Sequence, residues 1–215
     1  MTPSLAATVV AAVTLAALLW WGERTASARA RWALKPATSA LFLLVAFLQG
    51  PGSAYDVWIV AGLALCAVGD VALISRERSW FLTGLVAFLL GHAAYIAAFS
   101  QRTSLAAPDP LAVALVAATG LGIFLYLRPR VGRMLVPVVA YMVVISVMLA
   151  AAWTVAVAEP GVSGRRLLLA AVLFYLSDIT VARDRFVTGP RFLNRLVGLP
   201  LYYSAQFLFA FSIGG

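Results

Sequence analysis

Two aspartates stand where water is scarce. Asp70 lies in Val68-Gly69-Asp70-Val71-Ala72-Leu73, and Asp178 lies in Leu176-Ser177-Asp178-Ile179-Thr180-Val181, half a chain later. A carboxylate at membrane depth costs about 2.5–3.5 kcal/mol on insertion scales, so each needs a reason to be there. The chemical reason is acid–base work. Two nearby carboxylates raise one another's proton affinity, and one can hold a proton near neutral pH while the other is ionised. The structural alternative is that each caps a neighbouring helix or pairs with a boundary arginine.

Other polar groups in the apolar runs fall at helical spacing. His92 and Tyr95 are three apart and share a helix face, as do Tyr203 and Gln206, with Tyr202 four before Gln206. Ser177 adjoins Asp178. Lys35, the only lysine, could meet a phosphate, tune a carboxylate, or simply snorkel from a helix end. A lone histidine reads equally as a buried neutral imidazole, and the tyrosines as an aromatic belt.

The elements that must hold these residues are transmembrane helices. The chain has 215 residues, 63% hydrophobic and 11% charged, with a mean hydropathy of +0.98. Soluble domains carry roughly 25% charged residues. The composition predicts an all-α membrane protein, one integral membrane domain over 1–215, built as a bundle of eight transmembrane helices. Their predicted bounds are 4–21, 35–50, 56–75, 79–100, 109–128, 133–157, 165–183 and 193–213. Lys35-Pro36 marks the start of the second, with proline in a first turn, and Gly50-Pro51-Gly52 ends it.

The net charge of +8 does not indicate nucleic acid. Arginines cluster in alternate loops: Arg24, Arg29 and Arg31, then Arg76 and Arg78, then Arg128, Arg130 and Arg133, then Arg183, Arg185, Arg191 and Arg195. The positive-inside rule puts those loops in the cytoplasm and both termini outside. No basic residue precedes the first apolar run, so a cleaved signal peptide is not expected. Asp70 lies six residues before Arg76 and Asp178 five before Arg183, a common depth of roughly 8–9 Å below the basic boundary. The two segments, and Phe81–Val86 against Phe192–Val197, suggest a parallel 4+4 internal repeat that pairs His92 with Tyr203 and Tyr95 with Gln206.

Several classes lack their residues. Cys66 is alone, so no intrachain disulfide is available. One histidine and one cysteine do not make a zinc site, and no metal site is expected. There is no glycine-rich phosphate loop, and Gly161-Val162-Ser163-Gly164 has no strand before it to form a nucleophile elbow.

At these residues the chain resembles the YhhN family of integral membrane proteins, which includes the mammalian lysoplasmalogenases. The segments that carry the resemblance are Lys35–Thr38, Gly69–Leu73, Gly84–Tyr95, Phe174–Asp178 and Tyr202–Gln206, in family order. Cys66-Ala67-Val68 departs from it, since members often carry serine or leucine there. The resemblance implies an eight-helix hydrolase of the bacterial inner membrane, without metal or organic cofactor. Such an enzyme cleaves the vinyl ether of lysoplasmalogens to a fatty aldehyde and glycerophosphoethanolamine or glycerophosphocholine. Its partners would be a lysophospholipid substrate and membrane lipids, with the oligomeric state open. The expected catalytic pair is Asp70 and Asp178, either being the acid. Lys35, His92, Tyr95, Ser177, Tyr202, Tyr203 and Gln206 are expected to bind or orient the substrate. The competing classes are a small lipid transporter or flippase and a non-catalytic lipid-binding protein. Against transport, the polar groups cluster toward one leaflet.

Overall fold

The computed structural model describes residues 2–214 and is helical throughout, with no strand among them. The helices are α1 (Pro3–Ala17, continued by a π-helical stretch Leu18–Arg24), α2 (Ala28–Leu48), α3 (Ala54–Ala72), α4 (Arg78–Ser100), α5 (Pro110–Val131), α6 (Leu135–Ala158), α7 (Val162–Phe186) and α8 (Phe192–Ala210). Helix starts follow from side-chain caps. Thr2, Ser27 and Asp109 accept from the backbone N–H three residues on, and Ser53 with Asp56 forms a reciprocal capping box. Asp56 Oδ1 also accepts from Gly214 N at 3.2 Å, which ties the end of the chain to the start of α3.

Two expectations are corrected. The described residues form seven continuous helical segments rather than eight, because α5 and α6 belong to one helical run, Pro110–Ala158. It turns at Gly132, whose φ of +50° suits a residue without Cβ, and passes through one 3₁₀ turn, Gly132–Met134. Five segments are long and apolar enough to cross a membrane: Pro3–Arg24, Ala28–Leu48, Ala54–Ala72, Arg78–Ser100 and Pro110–Ala158. α7 and α8 fall outside that set; α7 carries Arg165, Arg166, Asp178, Arg183, Asp184 and Arg185. The second correction concerns α2. It begins at Ala28, seven residues before its predicted start, so Lys35 and Pro36 lie inside the helix. Arg29 and Arg31, which read as loop, lie in its first turn.

α3, α4, α6, α7 and α8 make a closed ring in that order, with α8 returning to α3. α1 and α2 pack outside α3 and α8, and α5 packs outside α6 and α7. Glycine permits the closest approach. A Cβ on Gly69 of α3 would stand 2.6 Å from the Phe88 ring of α4, and one on Gly91 would stand 2.9 Å from Cys66 Sγ. Inside the ring the core is aromatic: Phe88, Phe174 and Tyr202 meet edge to face at centroid separations of 5.3–6.2 Å.

Candidate active site

A cavity of about 360 Å³ opens within the helical ring at the end where the arginines gather. α3 sends in Asp70 from its last turn, and α7 sends in Ser177 and Asp178. α6 contributes Tyr141, Met142 and Ile145, and Phe88 and Tyr202 stand in the wall from α4 and α8. Lys35 reaches the cavity from α2.

The two aspartates line the same cavity but are held differently. Asp70 is 2% exposed. Its Oδ2 accepts from Ser39 Oγ at 2.6 Å and from Tyr202 OH at 2.7 Å. Lys35 Nζ lies 3.4 Å from Oδ1 and donates to the Asp70 carbonyl at 3.0 Å. The carboxylate therefore has a cation and two hydroxyl donors, the full company a buried charge requires. Asp178 has no cation within ion-pair distance among the described residues. Tyr141 OH donates to its Oδ2. No hydrogen bond joins the two aspartates to each other.

Five of the nine expected site residues line the cavity: Lys35, Asp70, Ser177, Asp178 and Tyr202. Ser177 Oγ donates to the Gly198 carbonyl at 3.0 Å and clamps α7 to α8. The other four lie behind the wall. Tyr203 OH donates to the Lys35 carbonyl at 3.3 Å, steadying the turn that carries the lysine. Tyr95 OH donates to Gln206 Oε1 at 2.6 Å across the α4–α8 contact. His92 is fully buried against the rings of Phe174 and Tyr141, at 4.6 and 5.3 Å, and neither ring nitrogen has a partner among the described residues.

Sequence reasoning missed Tyr141, Ser39 and, at the mouth, the acidic partners Glu23 and Asp184. Ser39 follows Lys35 by four residues on one helix face, a readable signal. Tyr141 is a hydroxyl in an apolar run, the same signal that singled out Tyr95. At the mouth, Arg195 pairs with Glu23, and its Nη2 lies 3.2 Å from Asp184 Oδ2. Arg185 Nη1 donates to the Arg76 carbonyl at 2.9 Å. The Arg76 guanidinium makes no side-chain hydrogen bond among the described residues. Burial, and then the cation of Arg195 beside it, push Arg76 below its ordinary proton affinity. The mouth thus offers an incompletely neutralised cation in front of the carboxylates. No cluster of metal-ligating side chains occurs among the described residues.

An apolar helical bundle with buried carboxylates around an open cavity defines an integral membrane protein with a candidate acid–base site. The chain belongs to the YhhN family, whose model it matches over residues 30–213. It is 32% identical over 185 residues to the human protein named lysoplasmalogenase TMEM86A, covering 80% of this chain and 72% of that one. It is 34% identical over 172 residues to the Sus scrofa lysoplasmalogenase TMEM86B, covering 79% and 70%. A Mycobacterium tuberculosis protein named lysoplasmalogenase is 30% identical over 182 residues, which are 78% of this chain but 63% of that longer relative. No solved structure matches.

Proposed function

We propose that this protein is a lysoplasmalogenase-type hydrolase, cleaving the vinyl ether of a lysoplasmalogen to a fatty aldehyde and a glycerophospho-alcohol. The observation that carries the reading is the asymmetry of two carboxylates on one cavity: Asp70 has a counter-ion and Asp178 has none among the described residues. An uncompensated charge in such a place is costly, so Asp178 holds the proton and Asp70 is ionised. The family names of the relatives agree with this chemistry.

The vinyl ether lies between the two. Asp178 gives its proton to the β-carbon of the double bond, whose π electrons form the new C–H bond. The carbon attached to oxygen becomes an oxocarbenium, and the carboxylate left on Asp178 faces it. Water adds to that carbon and gives a proton to Asp70. The neutral hemiacetal then collapses. Its hydroxyl proton returns to Asp178, Asp70 protonates the departing glycerol oxygen, and the C–O bond breaks to release aldehyde and alcohol. Both aspartates end as they began. Two carboxylates around an oxocarbenium-like state are also the working parts of glycosidases, and a site shielded from water strengthens their electrostatic effect.

Lys35 keeps Asp70 charged, and Tyr141 fixes the Asp178 carboxyl so that its other oxygen carries the proton toward the cavity. Arg76 and its neighbours receive the phosphate. The positive-inside rule puts this mouth in the cytoplasm. The fold would descend from a duplicated four-helix unit, since Tyr95 and Gln206, equivalent in the repeat, hydrogen-bond to each other. The test is purified protein in detergent with a lysoplasmalogen and, separately, its saturated ether analogue, following aldehyde by mass spectrometry. Release from the vinyl ether alone, without a membrane gradient, supports the proposal. Release from neither, by folded protein, refutes it.

A further inference from the structure

A second hollow lies on the far side of Met142. It is a groove of about 490 Å³ between α5 and α6, apolar along nearly its whole wall. Met142 lines both the groove and the carboxylate cavity. The two hollows also adjoin at Gly120, where an added Cβ would stand 3.9 Å from the hydroxyl of Tyr175, a residue of the cavity wall. The groove therefore begins beside Tyr141, the residue that holds Asp178. It runs away from the arginine end toward Thr154 and Pro108. The one hydroxyl at that end already spends its proton within the helix, as Thr154 Oγ1 donates to the Ala150 carbonyl at 3.0 Å.

We propose that this α5–α6 groove is the binding site for the hydrocarbon chain of the lipid whose polar end occupies the carboxylate cavity. The occupant is one long unbranched chain, and the argument is continuity. Cation at the mouth, carboxylates next, Met142 at the joint and a dry groove beyond follow the order of parts in a single-chain phospholipid. Twelve residues of α6 separate Met142 from Thr154, or about 18 Å at the helical rise. An extended chain gains roughly 1.3 Å per carbon with normal bond lengths, so about fourteen carbons reach the end. The volume is within the usual range for ligand pockets. Small residues make the room: Gly120 and Ala117 on α5 face Ser146 and Ala150 on α6. The added Cβ at Gly120 meets the Ser146 side chain, at Oγ, at 3.5 Å, an ordinary contact, so a side chain much larger than alanine must enter the groove.

The identity of the chain as an alkenyl group rests on the lysoplasmalogenase reading, but occupancy of the groove can be measured without turnover. The probe is a lysophosphocholine with a sixteen-carbon alkyl ether chain and a diazirine at its end, photolysed with the full-length protein in nanodiscs. Labelled peptides are mapped by mass spectrometry. The expected result is labelling centred on α5 and α6 near Val113, Val116 and Thr154, competed by unlabelled sixteen-carbon lysolipid. Gly120→Leu and Ala117→Phe, checked for unchanged melting temperature, should each cut this labelling at least tenfold. They should also slow aldehyde release from a sixteen-carbon substrate far more than from an eight-carbon one. Leu115→Phe, on the exposed outer face of α5 away from the groove, is the control that should do neither. Labelling spread evenly over the lipid-facing helices, or unchanged in both filled variants, overturns the groove assignment. Groove labelling without aldehyde release from any lysoplasmalogen would uphold the groove and sink the hydrolase instead.

Discussion

Lys35→Met isolates the electrostatic arrangement of the site. The substitution keeps most of the side-chain volume and removes the cation 3.4 Å from Asp70 Oδ1. Asp70 is then a carboxylate that is 2% exposed, with only the hydroxyls of Ser39 and Tyr202 to hold it. Breaking a buried pair from one side costs about 3–5 kcal/mol. The carboxyl can escape that cost by taking up a proton. Starting from an unfolded-state value of about 3.9, neutralising it at pH 7 costs about 4 kcal/mol, and at pH 5 about 1.5 kcal/mol. The loss of stability at pH 7 should therefore lie between about 3 and 4 kcal/mol, and it should shrink by more than half at pH 5. The sign follows from linkage: the unfolded variant releases the proton above about pH 4 and the folded variant keeps it, so the deficit grows as pH rises. The assay is unfolding in detergent at the two pH values, with Lys35→Met/Asp70→Asn as the companion. The double variant should regain at least half of the lost stability at pH 7 and still release no aldehyde. Equal stability of Lys35→Met and wild type at pH 7, or a double variant no better than the single, would refute the reasoning.

Three further outcomes are expected. Tyr141→Phe removes the donor to Asp178 and should cost about 1 kcal/mol in stability with at least a tenfold fall in kcat, read by thermal unfolding and aldehyde release. His92→Phe should keep turnover within a few fold, because the imidazole lies behind the cavity wall, and a loss comparable to Asp178→Asn would restore a direct role for it. Arg76→Ala should raise KM for a phosphate-bearing substrate with little change in kcat, and the difference from wild type should shrink with added salt.

The parts of this design that announce themselves in sequence are those that violate their surroundings. Asp70 and Asp178 stand out because a charge in an apolar run is costly and needs a reason, and Lys35 because it is the only lysine. Their partners are harder to see. Ser39, Tyr141 and Tyr202 meet the aspartates across separations of 31, 37 and 132 residues, and nothing local in α6 announces that Tyr141 faces α7. His92 is a different case. It is as conspicuous as the aspartates, yet it lies against Phe174 and Tyr141, outside the cavity lining. Helix positions were legible from hydropathy, and their junctions were less so. The arginines of Ala28-Arg29-Ala30-Arg31-Trp32 looked like loop because hydropathy weighs a charged residue without regard to whether its side chain can reach the surface. The Ser27 cap was the better signal. At Gly132 the turn is so short that helical hydrogen bonding barely lapses, which is why one segment stands where two were expected.

The division of labour between the two carboxylates is tested most directly by the initial rate of aldehyde release from Asp178→Asn protein, purified at the melting temperature of the wild type. An asparagine keeps the shape and the Tyr141 contact but has no proton to give to carbon. Loss of the acid should cost about 10²–10⁴-fold, so a rate at least a hundredfold below wild type is expected. A folded Asp178→Asn enzyme working within tenfold of wild type would contradict the assignment of Asp178 as the acid.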